Sequence, residues 1–567
     1  MTAVPLDTLA AEATYGGGMS KHGSGKPGLP RVLAASALAA ALVLSGCTAG
    51  QNGRSGASGT AADNGSDRDE NRVYLNTAAA EPAVITGSDA EAALAASQTL
   101  FQSSPVAVVA PEGDSAAIEA AAAEAGPAGV PLLLAGDGLE AELQRLGVRQ
   151  VKTFGALAGA AGSSAPSAPS ASAGPSGSAE PAGTGAASGT AGAAGAAEWE
   201  SVLGGVGILA PEQPLDEVAG TEEASPYSVL LGEDARKELP ATMAVLQAAG
   251  VRTHVDAAAD PRAAPETVDF LRAEPEHNVL AIGGDFGNTA QFATRTETAL
   301  TAAELPGGGM LAFPTRRMVA LYGHPSGPAL GALGEQDVEA AIARAKKLAG
   351  EYKGLSDEPV IPAFEIIATV ATGSAGEDGD YSSATDIDLL RTWVDAAGEA
   401  GVYVVLDLQP GRTDFLTQAK AYEELLKEPH VGLALDPEWR LQDGERHMEQ
   451  IGSVTAAEIN EVSDWLARLT RGNSLPQKVL ILHQFQLRMI SNREQLETGH
   501  DELAVVIHAD GHGGPGQKME TWSALRQDLP DDVWMGWKNF YDEDTPMFSP
   551  EKTYGNVKPA PWFVSYQ

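Results

Sequence analysis

The sequence contains only one cysteine, Cys47, among its 567 residues. A single cysteine excludes an internal disulfide framework, and it also excludes metal clusters built from several cysteine ligands. The folded parts of the chain must therefore be stabilised by their apolar cores. A chain of this length predicts more than one domain.

Basic residues are also scarce. The chain has 37 Lys and Arg against 76 Asp and Glu, and its net charge is −39. This imbalance argues against a nucleic-acid partner, and against binding to anionic lipid or other polyanions by charge. We interpret the acidic excess as a well-hydrated, soluble surface.

Long apolar runs are missing after Cys47, but one lies just before it. Lys21, Lys26 and Arg31 precede the uninterrupted apolar run Val32–Leu44. This run is too short to cross a bilayer comfortably, which takes about 20 residues. A basic flank, a short apolar run and small residues are the parts of a secretory signal. The segment ends in Leu-Ser-Gly-Cys, with Cys47 as the last residue.

This ending resembles the lipobox of bacterial lipoproteins, in which the cysteine thiol receives a diacylglycerol and becomes the first mature residue. The resemblance implies that residues 1–46 are a signal peptide and that Cys47 is the lipid attachment site. The protein would then lie on the extracytoplasmic face of the cell membrane, contacting the membrane through its lipid anchor only.

Two segments are too poor in large apolar side chains to bury a core. Residues 47–71 are mostly Gly, Ser, Ala, Asn and Asp, and we predict a flexible tether there. Residues 156–197 are rich in Ala, Gly, Ser and Pro, and we predict a disordered insertion.

Residues 72–308 are predicted to form a Rossmann-like parallel α/β region around that insertion. Short apolar runs alternate there with helical patterns, as in βαβ units. The runs are Pro105–Ala110, Val130–Ala135, Val148–Gly155, Tyr227–Gly232, Val251–Val255 and Val279–Gly284.

The first half of this region contains PVAVVAPEGDSAAIEAAAAEAG, then GVPLLLAGDG, then LQRLGVRQVKTFG, and the second half ends in AIGGDFG. These segments resemble the type 2 cell-wall-binding repeat of Gram-positive surface proteins, over roughly residues 72–290. In that family the repeats bind anionic wall polymers. The resemblance therefore implies a cell-wall or envelope polysaccharide as the partner of this region.

Residues 309–567 are predicted to form a TIM-like (β/α)8 barrel. Eight apolar runs, most of them separated by helical patterns, fit the size and rhythm of this fold, which takes about 250 residues. The predicted strands are Met318–Tyr322, Val360–Thr369, Val402–Leu408, Val431–Leu435, Lys478–Leu482, Leu503–Ile507, Val533–Trp537 and Trp562–Ser565. The predicted helices are Glu335–Tyr352, Ile387–Ala400, Leu416–Leu426, Ala456–Leu469 and Met519–Leu529. We predict a loop between the last two strands.

The ends of these strands carry polar and aromatic residues, and the active sites of such barrels are built where strands meet the loops that follow them. Seven of the eight Trp and seven of the ten His also lie beyond residue 309. We therefore expect a functional cleft at this end. The candidate substrate-binding residues are Tyr322, His324, Glu365, Gln409, Trp439, His483, Gln484, His508, Asp510, Lys538, Tyr541 and Tyr566.

The strongest catalytic candidates are Asp436 and Glu438, with Asp407 on the preceding strand. Residues two apart on an extended strand point the same way, about 6.5–7 Å from each other along the chain. Carboxyl groups so placed oppose each other's ionisation, so one can stay protonated as a general acid while another stays charged. Glycoside hydrolysis uses such a pair.

The ALDPEW segment at this strand end resembles the Asp-x-Glu end of strand 4 in chitinase-like barrels and lysozyme-type muramidases. The resemblance implies Glu438 as the general acid, Asp436 as its orienting partner and Asp407 as electrostatic support, with no cofactor. Aromatic faces for sugar rings would come from Trp439, Trp537, Trp562 and Tyr566.

Several alternatives stay open. Asp436 and Glu438 could instead cap the next segment or pair with arginines. A zinc site could draw its ligands from His324, His483, His508, Asp510, His512 and Asp407, which would make the barrel a metal-dependent hydrolase. A cleft of this composition could also bind glycan without turnover. The interpretation is a surface lipoprotein that acts on or binds envelope polysaccharide, with a glycoside-hydrolase-type barrel.

Overall fold

A computed structural model describes residues 69–157, 199–203, 205–209, 213–215, 218–220 and 224–567. The predicted signal peptide, Cys47, nearly all of the tether and residues 158–197 of the predicted insertion lie outside the described residues. Among the helices that are described, none combines the length and apolar character needed to cross a membrane.

The part that precedes the barrel is an α/β region. Its strands are β1 (Tyr74–Leu75), β2 (Ala83–Ile85), β3 (Phe101–Ser103), β4 (Val106–Pro111), β5 (Leu132–Ala135), β6 (Gln150–Thr153), β7 (Gly207–Leu209), β8 (Tyr227–Leu231), β9 (Arg252–Val255) and β10 (Asn278–Ile282). Its helices are α1 (Asp89–Leu100), α2 (Ser115–Ala128), α3 (Leu139–Leu146), α4 (Ala235–Glu238), α5 (Pro240–Ala248), α6 (Pro265–Arg272) and α7 (Thr289–Thr301).

These strands form two four-stranded parallel sheets, in the orders β5-β4-β6-β7 and β2-β10-β8-β9. Each of the six predicted apolar runs overlaps a strand of these sheets. Every residue of β4, β8 and β10 is buried, as expected for parallel strands covered on both faces. Helix α1 begins with a capping box between Ser88 and Glu91, which satisfies two of its free N–H groups.

The second part is a closed barrel of eight parallel strands with helices around it. Its strands are β11 (Arg317–Gly323), β12 (Val360–Ala371), β14 (Tyr403–Leu408), β15 (Val431–Leu435), β17 (Lys478–Gln484), β19 (Leu503–Ala509), β20 (Trp534–Asn539) and β21 (Phe563–Tyr566). The barrel closes because β11 pairs with both β12 and β21. The short strands β13 (Ser382–Ala384), β16 (Val454–Thr455) and β18 (Ile490–Ser491) lie in its loops. The predicted α/β class and the eight predicted barrel strands are confirmed.

The barrel helices are α8 (Val338–Glu351), α9 (Ile387–Glu399), α10 (Phe415–Ala421), α11 (Glu423–Leu426), α12 (Ala456–Gly472), α13 (Pro515–Leu525) and α14 (Pro550–Asn556). The prediction of a loop between the last two strands was wrong, because α14 lies there. Ser549 caps it and Pro550 occupies its first turn, where proline is favoured. The predicted single helix over 416–426 is divided into α10 and α11.

The α/β region contacts the amino-terminal end of the barrel. Arg295 on α7 pairs with Asp501, which precedes β19, at 2.7 Å. Arg262 donates to the carbonyl oxygen of Asp501 at 3.0 Å, and its own carbonyl accepts from the N–H of Met310 at 2.7 Å. The carboxyl ends of the barrel strands lie at the opposite end.

Candidate active site

The side chains of the candidate site point into the barrel because residues alternate between its two faces. Along each strand, one set of residues forms the interior cluster, which includes Ala320, Ala363, Val405, Ile481 and Val506. Two residues further toward the carboxyl end, the same face carries polar side chains. These are Tyr322, Glu365, Asp407, His483 and His508, and all are buried. The polar layer thus lies directly on an apolar floor.

His483 lies at the centre of this layer and is fully buried. Its Nδ1 lies 2.8 Å from Oδ2 of Asp510, and its Nε2 lies 2.8 Å from Oε1 of Glu365. Asp407 Oδ1 is 3.8 Å from the same Nε2. The His508 ring packs edge-on against the His483 ring, with centroids 4.9 Å apart. Carboxyl groups from two strands and from the residue after a third therefore surround one imidazole.

A second chain of contacts runs through Lys538 and Tyr322. The Lys538 ammonium is 3.1 Å from Oδ1 of Asp510 and 3.5 Å from the centroid of the Tyr322 ring. The Tyr322 hydroxyl donates to Asp407 at 2.9 Å and accepts from the Gln409 amide at 3.3 Å. Lys538 is therefore held as a cation by a carboxylate and an aromatic face.

Asp436 and Glu438 follow β15 directly, around a single turn of 3-10 helix, Pro437–Trp439. Asp436 is buried, and its Oδ1 accepts from the N–H of Glu438 at 3.4 Å. Glu438 is half-buried and so reaches the mouth of the barrel. Arg440, a possible ion-pair partner, pairs with Glu458 at 2.9 Å instead. The capping alternative therefore holds for Asp436, and Glu438 keeps its carboxyl group for other contacts.

Three carboxyl groups of the layer are held toward their protonated forms. Burial, with a smaller contribution from the nearby Asp510 charge, raises the pKa of Glu438 to about 7. Burial also raises the pKa of Asp407 to about 6, with His483 opposing the shift and Glu365 adding to it. The pKa of Asp436 lies well above its ordinary value, through burial and the proximity of Glu438.

Two other carboxylates are held ionised by cations. Burial alone would raise the pKa of Glu365, but His483 outweighs it and leaves that pKa below its ordinary value. Burial is similarly outweighed at Asp510, whose pKa is lowered by Lys538 and then by His483. Burial would lower the pKa of His483, yet Glu365 and Asp510 raise it well above its ordinary value. The carboxyl groups of the layer therefore have pKa values on both sides of their ordinary values, as acid–base chemistry requires.

Several buried polar atoms of this layer have no hydrogen-bond partner among the described residues. They are Oε2 of Glu365, Oδ1 of Asp407, Nδ1 of His508 and Nε1 of Trp439. Buried polar groups are normally hydrogen-bonded, so unpaired ones require an explanation. Unpaired acceptors and donors at the carboxyl end of a barrel are suited to water or to the hydroxyl groups of a ligand.

Other predicted binding residues are occupied by protein partners. His324 lies between Ser326 and Thr385, at 2.7 and 2.9 Å. The Gln484 amide donates to backbone carbonyls in its own loop. These groups shape the loops around the mouth.

The predicted aromatic residues lie in different surroundings. Tyr566 lies on the outer face of β21, where its hydroxyl is 2.6 Å from that of Tyr352. Tyr541 is 38% exposed, and its ring contacts Tyr566, with centroids 5.6 Å apart, and the Arg344 guanidinium, 5.3 Å from its centroid. Trp439 is half-buried and packs edge-on against His447.

The prediction that Trp537 and Trp562 provide faces for sugar rings was wrong. Trp537 is outward-facing on β20, 1% exposed, and stacks on Phe548. Trp562 precedes β21 at the amino-terminal end, where the Arg317 guanidinium lies 3.9 Å from its ring centroid. Both residues pack the body of the barrel.

The zinc alternative is only partly compatible with this geometry. His483, His508 and Asp510 lie close enough together to share an ion. Both nitrogens of His483 already contact carboxylate oxygens, however, and a ligating histidine needs one nitrogen lone pair free for the metal. His512 packs against Phe540. The donor set therefore does not fit a resident metal while His483 is bound on both sides.

Sequence reasoning missed Ser565 as a part of the site. The Ser565 hydroxyl lies 3.3 Å from Nε2 of His508. Ser565 is fully buried. Ser565 shares the inward face of β21 with Phe563, so strand alternation could have identified it.

No family model matches this sequence, and no curated protein matches it significantly. The solved structures similar to the chain include a xylanase and alpha-amylase inhibitor protein from Scadoxus multiflorus. The match has 12% identity and a TM-score of 0.27, and covers 44% of this chain and 92% of the inhibitor. Similarity at this level does not bear on the function of the chain.

Proposed function

We propose that this protein is a surface-anchored glycoside hydrolase that acts on envelope polysaccharide. Glu438 is the general acid/base, Asp436 is its orienting partner and Asp407 is a charged group that supports the developing positive charge on the sugar. The observation that carries this proposal is the state of Glu438. It is a half-buried carboxyl group at the mouth of the barrel with a pKa of about 7.

A general acid works best when its pKa lies close to the operating pH. At neutral pH Glu438 is divided between its two forms, so it can give a proton to the leaving oxygen of a glycosidic bond and take one from water afterwards. Asp407, with a pKa of about 6, is mostly ionised at that pH. An ionised carboxylate there would stabilise an oxocarbenium-like transition state.

Two aromatic residues near the strand ends support a sugar substrate. Tyr541 carries an exposed ring, and Trp439 carries an unpaired indole N–H. Sugars combine apolar ring faces with many hydroxyl groups, so they would use both kinds of contact. His508, Gln409 and Asp510 line the same layer and would position the sugar.

The location of the enzyme is part of the proposal. The Leu-Ser-Gly-Cys ending at Cys47 supports a lipid anchor on the extracytoplasmic face of the membrane. The α/β region contacts the amino-terminal end of the barrel, which leaves the carboxyl end free for a polymer. We propose that the α/β region itself contacts the cell wall.

The test is release of soluble sugar from purified cell-wall glycan and from chitin oligosaccharides by the full chain. Glu438→Gln keeps the size of the side chain but removes its titration, and should abolish release. Glu449→Gln is the matched control, because Glu449 is an exposed glutamate on the same loop. Release by Glu438→Gln at the wild-type rate would rule out the proposed acid.

A glycan-binding protein without turnover is the second candidate. It is favoured by the burial of Asp407 and Asp436, which are 0% and 1% exposed. Carboxylates so deeply buried contact a sugar only if the mouth opens. Retention of the chain on insoluble glycan, with no sugar released by either wild type or variant, would favour this function.

A further inference from the structure

His483 contacts three acidic side chains of the polar layer at once, Glu365 on β12, Asp407 on β14 and Asp510 after β19. It is 0% exposed. The titratable or charged side chains that surround it are Tyr322, Glu365, Asp407, Asp436, Glu438, His508, Asp510 and Lys538. Five of these eight are carboxyl groups.

The two hydrogen bonds of the ring determine its charge. A neutral imidazole has one N–H donor and one acceptor nitrogen, whereas an ionised carboxylate only accepts. Asp510 receives a Lys538 ammonium at 3.1 Å on one oxygen and His483 Nδ1 at 2.8 Å on the other. Asp510 is therefore an ionised acceptor, and Nδ1 carries a proton.

The second nitrogen faces a similar environment. Nε2 lies 2.8 Å from Oε1 of Glu365 and 3.8 Å from Oδ1 of Asp407. Two carboxyl groups on this side favour a proton on Nε2 as well, because an imidazolium between them offsets part of the cost of burying their charges. The neighbouring His508 ring is neutral, since burial lowers its pKa to about 3.

We propose that His483 is a positioning residue that acts as a fixed buried cation. It holds Glu365 and Asp510 ionised on its two sides, and its charge sets how far Glu438 and Asp407 are ionised at neutral pH. It does not contact the substrate in this role. The effect on Glu438 rests on the proposed function, whereas the charge of the ring does not.

The same proposal means that His483 cannot act as a metal ligand in the trio that it forms with His508 and Asp510. A ring that carries protons on both nitrogens has no lone pair for a metal. We therefore expect the full chain to take up no zinc at this trio when it is dialysed against equimolar Zn²⁺. Stoichiometric zinc that is lost in His508→Gln would overturn the proposal.

The direct test is nitrogen-15 NMR of the full chain with labelled histidine, and His483→Gln identifies the signal. We expect imidazolium-type shifts for both ring nitrogens from pH 5 to pH 8. Neutral-type shifts at pH 7 would overturn the proposal. If His483→Gln does not fold, Glu365→Gln replaces it, because loss of one flanking carboxylate should move the titration of the same signal toward lower pH.

The second test measures kcat/KM against pH. Removal of a nearby positive charge favours the protonated form of Glu438. His483→Gln should therefore shift the basic limb of the profile to higher pH, by on the order of one pH unit. Glu449→Gln changes an exposed residue on the same loop as Glu438 and should leave that limb in place. Equal dependences of kcat/KM on pH for the two variants would show that His483 has only a structural role. If no hydrolysis is found, the proposed function fails, and the NMR result still decides the charge of His483.

Discussion

Hydrolysis by this protein should have a narrow, bell-shaped dependence on pH. The perturbation is pH itself, and the two groups that set the limbs are Glu438, with a pKa of about 7, and Asp407, with a pKa of about 6. The general acid must be protonated, so activity falls as pH rises through the pKa of Glu438. The supporting carboxylate must be ionised, so activity falls as pH drops below the pKa of Asp407.

These values put the maximum between about pH 6 and 7. At pH 8 Glu438 would be only about one-tenth protonated, and each further pH unit would lower kcat/KM about tenfold. Because the two groups interact, the limbs report the pair and not either residue alone. The assay is initial rates of sugar release from pH 4 to 10, with kcat/KM taken at low substrate concentration.

Two controls make this prediction specific. Glu449→Gln should reproduce the wild-type curve, because Glu449 is exposed on the same loop. Asp407→Asn should lose the acidic limb. A wild-type curve that stays flat from pH 5 to pH 9 would refute the assignment of Glu438 as the acid.

Three further predictions concern stability, each measured as the free energy of unfolding in urea. In the wild type, the Lys518 ammonium lies 2.5 Å from the buried Asp544 carboxylate. Lys518→Met removes this cation and should cost about 3–5 kcal/mol; a loss below 1 kcal/mol would contradict this. Tyr352→Phe should cost about 1–3 kcal/mol by leaving the buried Tyr566 hydroxyl short of a partner, and a neutral result would show that it finds another. Asp501→Asn should weaken the ion pair with Arg295 that joins the barrel to the α/β region. The expected loss is only about 1–2 kcal/mol, because Asp501 is partly exposed. Unchanged stability at low salt would refute the role of that contact.

Prediction of the fold depended on periodicity, which is a local property of the chain. Runs such as Val431–Leu435 are apolar throughout because both faces of a parallel strand are covered, and this can be read without knowing the neighbours. The missed helix α14 has only seven residues. So short a segment contains too few turns to show a helical pattern, and its stability depends on packing and on its cap.

Prediction of the site was limited because the sequence does not show which face of each strand points into the barrel. The sequence places Trp537 and Lys538 side by side at one strand end. The strand alternation sends Lys538 into the barrel, beside Asp510, and Trp537 outward, against Phe548. Which face is the interior depends on strand tilt and closure, and these are properties of the whole barrel.

The sequence by itself determined the α/β class, the eight barrel strands and the end of the barrel where polar residues gather, because each of these follows from local patterns. It also determined which residues could act as acids or bases. Only the tertiary structure decided their charges. Glu365, Asp407 and His483 are far apart in the chain, and their ionisation depends on burial and on distances of about 3–4 Å that arise when the barrel closes.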